Sequence, residues 1–157
     1  MTDREDIPFC NIRIDKDGIW YYRGAEMFRR EIVNFFYQNL RRDESGRYLI
    51  ELPNDRCYLE VEDAPFVVKS VQRSVSKTDS RLAIHLLLSD DTLEPLDPET
   101  LRIGKDNVLY CTIKNRSFDA RFLRASYYQM AEDIEYDEDR EDFFVRLNGC
   151  RYSIGYK

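Results

Sequence analysis

Residues 12–21 read IRIDKDGIWY, and the same pattern returns without a gap at residues 101–110 as LRIGKDNVLY. Apolar residues match apolar residues at the core positions of both stretches, while Arg, Lys, Asp and Tyr recur in register. Each copy places two short apolar segments around a turn. Asp-Gly at residues 17–18 and Asp-Asn at residues 106–107 tolerate the positive φ of a tight hairpin. An ungapped internal match of this kind predicts that the chain contains a duplicated unit.

A helix is predicted after each of these hairpins. In the first copy, residues 28–40 carry apolar side chains at three- and four-residue spacing, which predicts a core-facing stripe of Phe28, Ile32, Phe35, Phe36 and Leu40. In the second copy, Ser117 is a candidate N-cap for a helix over residues 118–130. The stripe predicted for that helix comprises Phe118, Phe122, Ala125, Ser126 and Met130.

A second strand pair is predicted after each helix, at residues 48–52 and 57–61 in the first copy and at residues 143–147 and 152–156 in the second. Asn-Gly at residues 148–149 is the strongest hairpin signal in the chain. A further pair is predicted between the copies, and its second strand is expected to be central because it is apolar on both faces. The intervening pair covers residues 66–75 and 82–88.

The sequence therefore predicts an α+β fold built from two copies of a hairpin–helix–hairpin unit, with an antiparallel sheet, packed as one body. Residues 1–66 form the first repeat, residues 67–99 the central strand pair and a polar connector, and residues 100–157 the second repeat. The strongly acidic segment at residues 132–142 is predicted to be a solvated loop.

Charge and composition narrow the function classes. The chain has a formal net charge of −6, which opposes a phosphate backbone and disfavours nucleic acid as a partner. Its apolar runs are too short to span a bilayer, and residues 1–6 are polar and acidic rather than a signal peptide. We therefore expect a cytoplasmic protein with no membrane partner. Four scattered cysteines are expected to stay free thiols without zinc: Cys10, Cys57, Cys111 and Cys150.

No catalytic, metal or cofactor motif is apparent in the sequence. His85 is the single imidazole, and it lies in a predicted core strand rather than beside a nucleophile. The sequence contains no glycine-rich phosphate loop, and the acidic segment lacks the glycine that a calcium loop requires. We expect no cofactor, no metal and no catalytic residue.

Three motifs resemble a bacterial family, the domain of unknown function 1285. They are DGIWYYRG at residues 17–24, VEDAPF at residues 61–66 and FDARFLRASYY at residues 118–128. After Gly24 this chain has Ala-Glu-Met at residues 25–27, where the family usually has proline and an aliphatic residue. The resemblance implies an α+β fold with repeated structural motifs, no established activity, and a role in signal transduction.

The leading functional hypothesis is a non-enzymatic binding or regulatory module that recognises a protein or a small anionic ligand. Aromatic and arginine side chains are expected to form its contact surface where the repeats meet, since such residues dominate binding hot spots. The alternative is an enzyme on a small anionic substrate, with Glu62 or Asp63 as base and an arginine clamp. The candidate ligand-binding residues are Trp20, Tyr22, Glu62, Asp63, Arg121, Arg124 and Tyr128.

Overall fold

The computed structural model describes residues 7–156, and the chain divides into two compact units, Met1–Pro65 and Phe66–Lys157. Residues 1–6 lie outside the described residues. The expectation that they are not a signal peptide therefore stays a prediction. Within the described range, neither helix combines the length and the apolar character that crossing a membrane requires.

The first unit contains one mixed sheet and one helix. Its described elements are β1 (Phe9–Ile14), β2 (Trp20–Tyr22), β3 (Ala25–Glu26), α1 (Arg30–Gln38), β4 (Leu40–Arg42), β5 (Tyr48–Leu52) and β6 (Asp55–Val61). The strands lie in the order β3-β2-β1-β6-β5-β4. The β1–β6 pair is parallel, and the other neighbours are antiparallel.

In its described residues, the second unit contains a larger mixed sheet, one α-helix and two short 3₁₀ segments at Pro98–Thr100 and Lys105–Asn107. Its elements are β7 (Phe66–Val75), β8 (Leu82–Leu88), β9 (Leu93–Pro95), β10 (Arg102–Ile103), β11 (Leu109–Ile113), β12 (Phe118–Phe122), α2 (Arg124–Ala131), β13 (Ile134–Asp137), β14 (Asp142–Leu147) and β15 (Cys150–Tyr156). The strand order is β13-β14-β15-β10-β11-β12-β7-β8-β9. The β10–β15 and β12–β7 pairs are parallel, so the purely antiparallel sheet expected from the sequence is wrong.

The two units share a pairing scheme. The order β12-β11-β10-β15-β14-β13 repeats β3-β2-β1-β6-β5-β4, with the same parallel pair at its centre. The hairpin register also matches, because Arg13 pairs with Tyr21 and Arg102 pairs with Tyr110. Each arginine lies over its partner ring, at 5.2 Å and 5.9 Å from the centroid. The duplication itself stays a prediction.

The predicted strand pairs are confirmed one by one. β5 and β6 pair around the turn at residues 53–54, and β14 pairs with β15 around Asn148 and Gly149, which both adopt positive φ. The strands β7 and β8 have the predicted bounds. On β8 the side chains of Ile84, Leu86 and Leu88 are buried while the alternate ones are half-buried, so this strand is more amphipathic than expected.

The helix predicted over residues 118–130 is wrong in its first half. Phe118–Phe122 is the strand β12, which lies between β11 and β7 and buries Ala120 and Phe122. Ser117 is no N-cap, because it lies in the turn before β12, where its N–H donates to the carbonyl of Ile113. The five-residue segment alternates as a strand does, and its two neighbouring strands outweigh its helical spacing.

Helix α1 turns a different face to the core from the one predicted. Val33 and Tyr37 are buried, whereas Phe28, Ile32 and Phe35 are exposed. The segment is apolar on more than one face, so periodicity alone does not select the face that packs. The core stripe predicted for Phe28, Ile32 and Phe35 is therefore wrong.

Trp20 anchors the helix to the sheet. It is 2% exposed, its ring makes an edge-to-face contact with Tyr37 at 4.8 Å between centroids, and it stacks on Phe36 at 6.2 Å. The Tyr37 hydroxyl donates to the carbonyl of Pro65. The predicted burial of Trp20 is confirmed, and this cluster sets the position of α1 in the first unit.

Short edge strands are the elements that the sequence did not predict. The segment expected to be an acidic loop contains β13, and its Asp137 forms an ion pair with Arg151 of β15. The segment expected to be a polar connector contains β9, which ends at Pro95 on the sheet edge. Strands this short carry too few residues for a periodic signal, and their neighbours determine their conformation.

Candidate binding site

A cavity of about 560 Å³ lies in the first unit, beside α1. Pairs of residues two positions apart on β1, β5 and β6 project from one face of the sheet to form part of its wall. The segment before α1 and the helix itself form the remainder. The lining residues are Cys10, Ile12, Tyr22, Ala25, Glu26, Met27, Phe28, Arg29, Ile32, Phe36, Ile50, Leu52, Asp55, Arg56 and Cys57.

Most of the residues in the wall of this cavity are apolar. Ile12 and Ile50 are buried, at 4% and 2% exposure. Other apolar residues of the lining are open to solvent, with Phe28 77% exposed, Tyr22 45% exposed and Ile32 of α1 37% exposed. A preformed apolar concavity that opens through exposed aromatic side chains is the usual form of a small-molecule site.

Charged side chains around the cavity balance in number. Two carboxylates, Glu26 and Asp55, and two guanidinium groups, Arg29 and Arg56, belong to the lining. Arg29 is also committed elsewhere, because its Nε donates to a carboxylate oxygen of Glu31 at 3.0 Å. The lining therefore carries no excess of positive charge that would favour an anion.

A disulfide joins Cys10 to Cys57 in the wall of the cavity, with 5.1 Å between the Cα atoms. The expectation of four free thiols is wrong for this pair. The two cysteines are 47 residues apart in the sequence, and only the parallel pairing of β1 with β6 brings them together. Cys111 and Cys150 are free. Burial raises the pKa of the Cys111 thiol to about 12, so this thiol stays protonated and inert.

The predicted site residues of the first unit have different environments. Tyr22 lines the cavity, whereas Trp20 lies beneath α1 and its indole Nε1 lacks a hydrogen-bond partner among the described atoms. Glu62 is exposed, and its carboxylate accepts hydrogen bonds from the backbone N–H of Lys16 at 3.1 Å and from Arg13 at 3.4 Å. Asp63 lies in the turn that follows β6. Glu62 thus ties the end of β6 to the first hairpin.

The three predicted site residues of the second unit do not share one helix face. Arg121 is half-buried on β12, in register with Tyr110 and Val67, whereas Arg124 is the first residue of α2. The structure does bring Arg124 and Tyr128 together, with the guanidinium carbon 5.8 Å from the ring centroid. The expectation that Arg121 and Arg124 project from neighbouring helical positions is therefore wrong.

In the described part of the chain, no three His, Cys, Asp or Glu side chains are grouped so that they could hold a metal ion. His85 is half-buried on β8, where its backbone pairs with Gln72. Carboxylates of the acidic segment form ion pairs with arginines of the same sheet, as Asp142 does with Arg151 at 2.8 Å.

Sequence reasoning missed most of the cavity. Met27, Ile32 and Cys57 were not proposed as site residues, although each lines the wall. A signal was present, because residues 32–37 carry apolar side chains at five of six positions. A single helix face cannot bury that many, so some were bound to remain available for contact.

The fold and the cavity define a protein of two α+β units with a largely apolar concavity in the first. Residues 4–64 match the model of "Domain of unknown function (DUF1285), N-terminal domain". The resemblance to this family is thereby confirmed over the first unit.

Two solved structures share the fold. A DUF1285 family protein from Silicibacter pomeroyi DSS-3 superposes with a TM-score of 0.77 at 21% identity, covering 94% of this chain and 80% of that one. A DUF1285 family protein from Shewanella baltica OS155 gives 0.60 at 23% identity, covering 77% and 90%. No curated protein matches the chain.

Proposed function

We propose that the first unit is a non-enzymatic binding module that takes a small neutral apolar molecule into the cavity beside α1. The observation that supports this proposal is the cavity itself. Its volume of about 560 Å³ lies within the roughly 300–1,000 Å³ typical of small-molecule sites. Its wall is mainly hydrophobic, and Phe28 and Ile32 extend it toward solvent.

The balance of charge supports a neutral ligand. Glu26 and Asp55 offset Arg29 and Arg56 in the lining, so an anionic ligand would gain no net attraction on entering. It would also lose hydration against the apolar wall, which costs free energy. A neutral molecule with an aromatic or aliphatic body avoids that cost and buries apolar surface.

A regulatory role follows naturally from this proposal. Occupation of the cavity would stabilise the packing of α1 on the sheet, because Ile32 and Phe36 of this helix belong to the lining. The role in signal transduction that the family resemblance implies would then be exerted through ligand occupancy. The exposed Arg124–Tyr128 pair of the second unit stays a separate hypothesis for partner recognition.

The test is a titration of the full chain with N-phenyl-1-naphthylamine, a neutral probe whose fluorescence rises in apolar surroundings. We expect saturable binding with one site per chain. Binding should also change the emission of Trp20, the single tryptophan, because Trp20 stacks on the cavity residue Phe36.

Two variants of α1 separate the cavity from general surface hydrophobicity. Ile32→Glu places a carboxylate in the apolar wall, whereas Phe35→Glu changes an exposed residue of the same helix that is not part of the lining. We expect Ile32→Glu to weaken binding at least tenfold, about 1.4 kcal/mol, and Phe35→Glu to leave it unchanged. No binding to the parent chain, or equal losses in both variants, would contradict the proposal.

A further inference from the structure

We propose that the Cys10–Cys57 disulfide is a redox switch for the cavity, and that its reduction to two thiols weakens ligand binding in the first unit. The inference rests on the proposed function and adds its regulation. It starts from the position of the bond, because both cysteines line the cavity and both are half-buried.

Cys10 begins a stretch of β1 in which backbone pairing with β6 is interrupted. Phe9 pairs with Tyr58, and the next pair is Arg13 with Glu60. Three residues of β1, at positions 10–12, therefore face a single residue of β6, at position 59. Over this stretch the regular ladder between the two strands lapses.

The conformation of Asn11 explains the interruption. Asn11 adopts a φ of 62°, which turns the chain out of the extended path. Its carbonyl accepts a hydrogen bond from the N–H of Arg23 at 2.8 Å, on the β2 side of β1. The disulfide is thus a covalent connection from this segment of β1 to Cys57, the residue that precedes the paired Tyr58 on β6.

Loss of the disulfide would loosen the wall of the proposed ligand site. Ile12 is the next residue of β1 on the same face as Cys10, and it forms a buried part of the wall. Without the bond, the Ile12–Tyr22 pair ties this segment to β2, and the flanking pairs at Phe9 and Arg13 join it to β6. The segment between those flanking pairs can then move relative to Cys57. An apolar site loses affinity when its wall is no longer preorganised, because ordering it then costs free energy on binding.

The chemistry is a two-electron exchange with a dithiol reductant. A thiolate of the dithiol attacks one sulfur of the Cys10–Cys57 bond, forms a mixed disulfide and releases the other cysteine as a thiolate, which takes up a proton. The second thiol of the reductant then displaces the first cysteine. The products are two protein thiols and one oxidised dithiol, and the reverse exchange restores the bond.

The experiment compares N-phenyl-1-naphthylamine affinity in the oxidised full chain, in the chain reduced with dithiothreitol, and in the Cys10→Ser/Cys57→Ser variant. A thiol titration of the unfolded chain, expected to find two thiols before reduction and four after, identifies the states. We expect at least fivefold weaker binding in the reduced chain and in the double variant, with recovery after reoxidation by oxidised dithiothreitol. Cys150→Ser, which changes an exposed free thiol, should bind like the parent.

Other outcomes separate the two proposals. Equal affinity in the oxidised and reduced chains overturns the switch and leaves the binding module standing. Absence of probe binding in every state overturns the binding module and the switch with it. Four thiols before reduction, or loss of the far-ultraviolet circular dichroism signal on reduction, overturns the switch, because the bond is then absent or only a structural staple.

Discussion

Trp20 illustrates how a single residue stabilises the first unit. Its ring is nearly fully buried between the sheet and α1, in contact with Phe36 and Tyr37. The indole N–H has no acceptor among the described atoms, so the contribution of this residue comes from apolar burial and ring packing rather than from a hydrogen bond.

Replacing Trp20 with Ala should therefore lower the free energy of unfolding by about 3–5 kcal/mol, because a large cavity is left in the core. Urea denaturation followed by circular dichroism measures this change. Tyr22→Ala is the matched control, since Tyr22 lies on the same strand and is 45% exposed. Unchanged stability of the Trp20 variant would contradict the packing described here.

At the scale of the element, α1 shows that an apolar pattern can predict a helix correctly while predicting the wrong buried face. The helix was expected, and it forms over Arg30–Gln38. Its buried positions are Val33 and Tyr37, one turn apart, while Phe35 between them points to solvent. The edge-to-face contact of Tyr37 with Trp20 and its hydrogen bond to Pro65 select this orientation.

This orientation predicts the ranking of two alanine substitutions. Val33→Ala removes two buried methyl groups and should cost roughly 2 kcal/mol of unfolding free energy. Phe35→Ala removes a larger side chain from a half-exposed position and should change stability by about 0.5 kcal/mol or less. Chemical denaturation of both variants compares them. A larger loss of unfolding free energy in Phe35→Ala would instead indicate that the face predicted from the sequence is the buried one.

At the scale of the whole molecule, the shared pairing scheme of the two units argues for duplication. The register of the first hairpin places Ile14 opposite Trp20, and that of the second places Ile103 opposite Leu109. These four residues are equivalent in the ungapped alignment of residues 12–21 with residues 101–110. Pairing of equivalent residues in both copies is what a repeated unit requires.

We predict that residues 12–62 and residues 101–156 superpose with the same order of elements. In solution, nuclear Overhauser contacts should pair Arg13 with Tyr21 and Arg102 with Tyr110. A shift of one residue in the second hairpin would turn its side chains to the opposite face of the sheet. Such a shift would contradict the duplication, and the resemblance of the two stretches would then be a coincidence of composition.

The longer strands and their hairpin turns were determined by local sequence. Alternating apolar residues with a turn signal between them need only their immediate neighbours to form a pair, as β5–β6, β7–β8 and β14–β15 do. The burial of Trp20 was also predictable, because the hairpin that carries it precedes an apolar helix. The family resemblance could also be identified from sequence, because each of its three motifs is a short contiguous stretch.

The cavity beside α1 and the Cys10–Cys57 disulfide were decided by tertiary structure alone. Cys10 and Cys57 meet because β1 and β6 are parallel neighbours, a pairing between strands separated by most of the first unit. Phe118–Phe122 became a strand because β11 and β7 offer hydrogen bonds on both sides. Ile32 lines the cavity because Tyr37, on a different face of the same helix, packs into the core. Local periodicity states which residues are apolar, whereas contacts between distant segments select which of them are buried and which remain open to a ligand.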